Sequence, residues 1–229
     1  MTVDELPAHR AGEPIFCSWS GGKDSAWALH QAARAGASPR LLLSMMVEGG
    51  ERSRSHGVSR EVLAAQAAAL GIPIRFGAAS WTGYEEEFHR LLVTEAVAAG
   101  TTVGIFGDID LQEHRAWVER VCGEAGVRAC LPLWQRDRRA VVDELLGAGL
   151  EAVIVAVRDG VLPTNLLGRT LDPELVAEIE RHGADAAGES GEYHSLVVNG
   201  PLFQRRLEVE PGERTLRDGV WFLDLAVAG

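Results

Sequence analysis

Lysine is almost absent from this chain of 229 residues. Of its 22 Lys and Arg residues, Lys23 is the only lysine and the other 21 are arginines. The sequence uses arginine wherever a general positive charge is needed, so its one ammonium group calls for a specific reason. Long apolar runs are also missing, since none approaches the roughly 20 residues that a transmembrane helix needs. The acidic residues 1–5 lack the basic start and apolar core of a secretion signal. We therefore expect a cytoplasmic protein with no membrane partner.

Cysteine is scarce, with three residues (Cys17, Cys122 and Cys130) and no CxxC spacing. An odd set of this kind indicates neither a disulfide framework nor a zinc ribbon. Small buried thiols are the expected interpretation, because free cysteine is among the most buried residue types. Thiol transfer by Cys122 and Cys130 is the alternative.

Positive charge is in short supply overall, since the formal net charge is −11 and both halves of the chain are acidic. The sequence has no Lys/Arg tail, and its arginine clusters are small. A protein that binds a nucleic-acid backbone usually presents a basic face. The composition therefore excludes DNA as a partner, and tRNA binding would need a second protein or unusual focusing of charge.

The first half of the chain alternates short apolar runs with longer helical patterns. The apolar runs lie at residues 14–18, 41–47, 72–76 and 102–106, and the helical patterns at 26–35, 58–70, 84–99 and 112–125. This alternation predicts an α/β fold with a Rossmann-like parallel sheet and helices on both faces. In such sheets the ligand lies beyond the carboxyl ends of the strands, near the point where the strand order reverses.

The second half predicts a smaller α/β domain. A helix is expected around residues 137–146, a buried strand at 150–157 and a second helix at 173–181, which Asp172 caps ahead of Pro173. Strand-like stretches follow to residue 227. We place the boundary near residues 126–131, which gives domains at 1–128 and 129–229.

The lone lysine lies in Ser20-Gly21-Gly22-Lys23-Asp24-Ser25, directly after the first apolar run. Glycines let a phosphate approach the backbone closely, and the next helix N-terminus offers N–H groups and partial positive charge. The spacing is not that of a Walker P-loop, which has four residues between its first glycine and Gly-Lys-[Ser/Thr]. The six residues match the PP-loop of ATP pyrophosphatases, so we predict a nucleotide-phosphate site.

A second motif, Gly188-Glu189-Ser190-Gly191-Glu192-Tyr193-His194, places two carboxylates in a glycine turn. Such carboxylates could hold Mg²⁺, contact a ribose or act as a general base. A solvated loop is the alternative for the turn, and a structural role is the alternative for His194.

Taken together, the two motifs resemble those of the diphthine–ammonia ligase family, PP-loop enzymes that complete diphthamide on elongation factor two. The resemblance covers nearly the whole chain. It also includes Gly107-Asp108-Ile109 with the following Arg115, Glu119 and Cys122, then Pro132-Leu133-Trp134, residues 151–155, Leu167-Gly168-Arg169 and residues 200–203.

The resemblance implies that ATP activates an acceptor carboxylate as an acyl-adenylate, after which ammonia displaces AMP. Lys23, Glu189 and Glu192 would be the catalytic residues, with the acidic motif closing the site from the second domain. Asp24 and Asp108 would hold Mg²⁺, although a helix-start role is the alternative for each. The implied nucleotide-binding set is Ser18, Ser20, Gly21, Gly22, Lys23, Asp24, Ser25, His56, Gly107 and Asp108.

Some assignments stay open. His56 could instead be a surface-loop histidine, and Arg115 with Glu119 fits an exposed helix-face pair better than a catalytic one. The arginine-rich composition is typical of a GC-rich bacterial genome, in which case the acceptor would not be elongation factor two. A tRNA-modifying PP-loop enzyme and a nucleotide sensor without turnover are the alternative functions, and a homo-oligomer is not excluded.

Overall fold

The computed structural model describes residues 12–228. Residues 1–5, from which we inferred that no secretion signal is present, lie outside the described part. The chain forms two compact units. Within the described residues, unit 1 comprises 12–20, Asp24–Glu51 and Ile72–Arg136, and unit 2 comprises Gly21–Lys23, Arg52–Gly71 and 137–228. Each unit draws on separate stretches of sequence, and the division at residue 128 stays a prediction.

Unit 1 is built on a five-stranded parallel sheet. Its strands are β1 (Pro14–Ser18), β2 (Ser38–Met46), β3 (Ile74–Ala78), β4 (Val103–Ile105) and β5 (Arg128–Cys130). The strand order is β3-β2-β1-β4-β5, so the chain grows outward from β1 first on one side and then on the other. The order therefore reverses between β1 and β4, and the predicted Rossmann-like α/β fold is confirmed.

The helices of unit 1 follow the predicted patterns closely. They are α1 (Lys23–Arg34, of which Lys23 itself belongs to unit 2), α3 (Tyr84–Leu91) and α4 (Gln112–Glu124). The helix after β3 continues past α3 as a π-helical segment, Leu92–Val97. Strand β5 was not predicted, because its three residues Arg-Ala-Cys carry no apolar run that would mark a strand.

Both faces of the parallel sheet are buried. Leu41 and Leu43 on β2 pack with Phe88 of α3 and Val121 of α4 in one hydrophobic cluster. Leu42 points to the opposite face and has no exposed surface. Burial on both faces is what an all-parallel sheet requires, and it explains why these strands read as continuous apolar runs.

Unit 2 is built on a four-stranded antiparallel sheet of order β7-β6-β9-β8. Its strands are β6 (Glu151–Arg158), β7 (Tyr193–Asn199), β8 (Val209–Arg217) and β9 (Val220–Val227). Its helices are α2 (Arg60–Leu70), α5 (Arg138–Gly147) and α6 (Pro173–Arg181), with a short 3₁₀ turn at Thr164–Leu166. The predicted fold class of the second domain, a smaller α/β domain, is thus confirmed. Its sheet is antiparallel.

Helix α6 begins where the sequence predicted. The Asp172 carboxylate accepts a hydrogen bond from the backbone N–H of Leu175 at 2.7 Å, and Pro173 occupies the first helical position. Asp137 caps α5 in the same way through the N–H of Ala140 at 2.8 Å. These caps satisfy N–H groups that have no partner within the helix. Within the described part of the chain, no helix is long and apolar enough to cross a membrane.

Candidate functional site

The glycine loop joins the end of β1 to the start of α1. Gly21 has a φ of +83°, a left-handed conformation that glycine adopts at little cost. The hydroxyls of Ser20 and Ser25 lie 3.1 Å apart within unit 1. The N-terminus of α1 lies at the reversal of strand order in this sheet, where α/β proteins place anionic ligands. The loop thus has the position expected of a phosphate site, and phosphate binding there stays a prediction.

Lys23 is buried, with 4% of its surface exposed. Within unit 2, its ammonium group donates a hydrogen bond to the carbonyl oxygen of Ala187 and lies 5.2 Å from the centre of the Tyr193 ring. The Tyr193 hydroxyl in turn donates to the Ala186 carbonyl at 2.7 Å. A lysine is rarely buried unless its charge has a partner. The structure therefore holds the lone ammonium of the chain against the segment that leads into the acidic motif.

The acidic motif is a hydrogen-bonded turn in which Glu192 is a central acceptor. Glu192 is 8% exposed, and its two carboxylate oxygens accept from the backbone N–H groups of Asp185 at 3.3 Å and Ser190 at 3.0 Å. The Asp185 carboxylate accepts from the Ala187 N–H at 2.6 Å and pairs with Arg138 at 2.6 Å. Glu192 is placed to hold the turn together, and its catalytic role stays a prediction.

Glu189 differs from Glu192 in its surroundings. It is half-buried, whereas Glu192 lies almost wholly inside unit 2. The sequence analysis assigned the same role to both carboxylates of the motif, but the structure places them in different environments. Of the two, Glu189 is the more accessible to a ligand.

Gly107 and Asp108 follow β4 in unit 1 and approach the first turn of α1. A Cβ atom on Gly107 would lie 2.8 Å from both the carbonyl carbon of Asp24 and the backbone nitrogen of Ser25. Real Cβ atoms do not come so close, so only glycine fits at this position. Asp108 lies next to this contact, and its Oδ1 is 3.2 Å from Nδ1 of His114. The structure thus brings the predicted metal ligands Asp24 and Asp108 to the same end of the sheet.

Within the described part of the chain, neither aspartate belongs to a group of three or more potential metal ligands. Among residues 12–228, no group of three His, Cys, Asp or Glu side chains is arranged to hold a metal ion. Mg²⁺ often binds through one or two carboxylates, with nucleotide phosphates and water completing its shell. Asp24 and Asp108 fit that chemistry, and their role stays a prediction.

His56 and His194 meet in unit 2 with their ring centres 4.6 Å apart. A Cβ atom on Gly22 would lie 2.5 Å from Nε2 of His56, so the imidazole covers the glycine turn directly. Burial, the His194 ring and the charge of Lys23 hold the pKa of His56 well below its usual value. Burial, together with Lys23 and Arg158, lowers the pKa of His194 to about 4. Both rings are therefore neutral near pH 7.

Gln66 is a site residue that the sequence analysis missed. It has no exposed surface, and its Nε2 donates to the carbonyl oxygens of Gly21 at 3.0 Å and Val197 at 2.6 Å. The N–H of Val197 also donates to the Gly21 carbonyl at 2.9 Å. Gln66 thus ties the glycine turn to β7. A glutamine on the apolar stripe of α2, four residues after Val62, was the available signal.

The three cysteines are free and buried. Burial raises the pKa of Cys122 to about 12 and that of Cys130 to about 11, and it raises the pKa of Cys17 further. The thiolate is the reactive form of cysteine, so these thiols are inert near pH 7. The geometry supports the interpretation as buried thiols and argues against thiol transfer.

Arg115 and Glu119 form the exposed pair that was predicted one helical turn apart on α4, with 2.7 Å between Nε and Oε1. The Arg115 guanidinium also lies 4.9 Å from the centre of the Trp134 ring. Helix-face pairs of this kind contribute a few tenths of a kcal/mol. A structural role accounts for both residues.

A cavity of about 560 Å³ lies in unit 2, and neither motif contributes a residue to its lining. Its lining includes Arg169, Arg206 and Arg214 together with Leu223 and Leu225. None of the predicted site residues lines it, so this cavity and the glycine loop are separate features.

Two family descriptions match the chain: Diphthamide synthase N-terminal domain over residues 15–129 and Diphthamide synthase C-terminal domain over residues 137–227. This chain belongs to the diphthamide synthase family. The resemblance that the two motifs carried in the sequence is thereby confirmed, and this family member contains both of its domains.

Several relatives of this family member carry the name diphthine–ammonia ligase. The relative from Rattus norvegicus is 29% identical over 145 residues, and the match covers 61% of this chain and 53% of that protein. The relative from Homo sapiens shows the same identity and coverage. The relative from Danio rerio is 26% identical over 224 residues, with 86% of each chain covered. The match thus spans about half the length of the rat and human proteins.

A solved structure titled as a predicted subunit of tRNA methyltransferase from Methanocaldococcus jannaschii shares 14% identity with this family member. It covers 85% of this chain and all of the other, with a TM-score of 0.43. A similarity of that size bears on neither fold nor function.

Proposed function

We propose that this diphthamide synthase family member is an ATP-dependent ligase that joins ammonia to an acceptor carboxylate and forms AMP and pyrophosphate. The observation that carries the proposal is the Ser-Gly-Gly-Lys-Asp-Ser loop, with buried Lys23 at the start of α1. The loop lies where the strand order of the parallel sheet reverses, the usual ligand position in such folds. The names of the relatives support the choice of ammonia and of a carboxylate on diphthine or a similar group.

In the first step, an oxygen of the acceptor carboxylate attacks the α-phosphorus of ATP, and the bond to the β-phosphate oxygen breaks. Pyrophosphate leaves and an acyl-adenylate remains. The Lys23 ammonium, released from the Ala187 carbonyl, would neutralise the departing phosphates. Positioned charge of this kind is often the largest single contribution to catalysis. Ser20 and Ser25 supply hydroxyl groups at the same turn.

In the second step, ammonia attacks the acyl carbon, the bond between that carbon and the AMP oxygen breaks, and one proton passes from nitrogen to solvent as the amide forms. When bound, Mg²⁺ would neutralise phosphate charge, and Asp24 with Asp108 would hold it. Glu189, the more accessible carboxylate of the acidic turn, is the better placed to contact the acceptor or nucleotide. Glu192 would act by keeping that turn in shape.

The test is a product analysis with purified protein, Mg·ATP, ammonium and either diphthine-containing elongation factor two or an extract fractionated for acceptors. AMP and pyrophosphate that depend on ammonium and disappear in Lys23→Ala would support the ligase. Production of ADP and phosphate would overturn the proposed attack at the α-phosphorus. Tight ATP binding without any turnover would favour a sensor, and co-purifying tRNA would favour a tRNA-modifying enzyme.

A further inference from the structure

The backbone segments that carry His56 and His194 are held in place by hydrogen bonds within unit 2. The loop that carries His56 is closed by a bridge between Arg52 and Ser59, and the Arg52 guanidinium binds both carboxylate oxygens of Asp224 at 2.8 and 3.0 Å. His194 lies on β7, where it pairs with Ala156 of β6. The backbone contacts of unit 2 therefore position the two rings next to each other.

The ring of His56 adjoins the backbone that we assign to phosphate binding, and the ring of His194 packs against it. Nε2 of His56 covers Gly22, as shown by the 2.5 Å between it and a Cβ built on that glycine. The ring centre of His194 lies 4.6 Å from that of His56, and the charge of Lys23 acts on both rings. A phosphate bound at this turn would thus meet imidazole groups as well as the ammonium.

The charges that face the pair from the surrounding elements are mainly positive. Lys23 approaches from the turn, and Arg158 approaches from the end of β6, where it donates to the Ser190 carbonyl. The nearby carboxylate of Glu192 is engaged by backbone N–H groups of its own turn. Burial and the two cations favour neutral imidazoles. A polyphosphate at Lys23 would reverse this field and favour an imidazolium.

We propose that His56 and His194 form a proton-linked phosphate site, which takes up one proton when pyrophosphate or the phosphates of ATP bind at the glycine turn. The proton comes from solvent, and the protonated ring donates an N–H to a phosphate oxygen. Two imidazoles this close share a single proton, because a second charge beside the first is disfavoured. The inference rests on the proposed function only for the identity of the ligand.

The expected linkage has a definite sign. Because the bound state holds a proton that the free state lacks, affinity for phosphate rises as pH falls toward the free pKa values. One proton gives a slope of up to tenfold in affinity per pH unit. In the proposed reaction, the protonated ring would keep its hydrogen bond to the pyrophosphate while pyrophosphate leaves the α-phosphorus.

The experiment is a calorimetric titration of the full-length protein with inorganic pyrophosphate and with α,β-methylene ATP, from about pH 8 to about pH 5.5, the range that spans the ordinary histidine pKa. Buffers of different ionisation enthalpy report the protons taken up. Wild type should take up more protons than His56→Gln and His194→Gln, and its affinity should rise more steeply as pH falls. The ligand's own titration is common to all three proteins and cancels in the difference. His182→Gln, at an exposed histidine beyond α6, is the control and should match wild type.

A second measurement avoids any loss of folding in the variants. Nuclear magnetic resonance of wild type with ¹³C-labelled histidine follows each ring through a pH titration with and without pyrophosphate. A raised pKa for His56 or His194 in the bound state supports the proposal. Binding that requires Lys23 yet shifts neither ring and takes up no extra proton overturns it and leaves the ligase proposal standing. Failure of wild type to bind either ligand at any pH overturns both.

Discussion

At the scale of single residues, the site is organised around one ammonium group and the backbone that it faces. Lys23 is buried and bonded to the Ala187 carbonyl, and it is the only lysine in the sequence. A buried ammonium on a flexible stem can exchange a carbonyl partner for a phosphate without building a new site. The proposed contribution of this charge to nucleotide binding can therefore be measured directly.

Replacing Lys23 by alanine should weaken ATP binding by about 1.5–3 kcal/mol, the usual contribution of a hydrogen bond to a charged group. That corresponds to a loss of roughly ten- to hundredfold in affinity. Calorimetric titration with ATP would measure it, with Arg40→Ala as the control for loss of a basic side chain at an exposed position. Unchanged affinity in a folded Lys23→Ala protein would remove Lys23 from the site.

Gln66 offers a second prediction for a single residue. Gln66→Leu keeps the volume but removes the amide that donates to Gly21 and Val197. The Val197 carbonyl would lose its amide partner, at a cost of about 1–3 kcal/mol in the free energy of unfolding. Urea unfolding would measure that cost, and ATP titration should show weaker binding through the altered turn. Gln112→Leu, at an exposed position of α4, should change neither quantity.

At the scale of elements, the sequence predicted the helices and strands whose bounds are set by local sequence patterns. The run for β1 and the pattern for α6 match the observed bounds, because apolar periodicity and caps mark their ends. The short β5 carried no such mark. The contacts within the site could not be predicted for another reason. Lys23 and Ala187 are 164 positions apart in the sequence, and a single sequence holds no signal for contacts between such distant residues. The sequence therefore predicted both motifs, but not Gln66 or the pairing of His56 with His194.

The acidic turn yields the prediction at this scale. Glu192→Ala should lower the free energy of unfolding by about 1–3 kcal/mol, since two backbone N–H groups lose their acceptor. Glu189→Ala should cost less stability than Glu192→Ala, because Glu189 is half-buried whereas Glu192 is almost wholly buried. Both variants should lose turnover, one through a distorted turn and one through a lost contact. Equal stability of the two proteins in urea would contradict the structural role of Glu192.

At the scale of the whole molecule, charge and burial together set the dependence of stability on pH. The formal net charge of −11 falls in magnitude as carboxylates are protonated below about pH 5. Several carboxylates have lowered pKa values in the folded protein, among them Asp224, held mainly by its hydrogen bond to Arg52. Such groups favour folding above their unfolded pKa values, and that contribution is lost as they are protonated. Their effect is therefore confined to acid conditions.

The buried histidines act at higher pH than the carboxylates. His194 has a pKa of about 4 when folded, against roughly 6.5 in an unfolded chain, and the pKa of His56 is lowered as well. The unfolded state thus binds more protons, so stability should fall as pH is lowered from about 6.5 toward 4. Urea unfolding at pH steps across this window would measure the slope. The double variant His56→Gln/His194→Gln should flatten it between about pH 6.5 and 5, where the carboxylates still hold their charge. His182→Gln, at an exposed histidine outside the pair, is the matched control for the loss of an imidazole. An unchanged slope in the double variant would mean that the two rings are not held neutral by the fold.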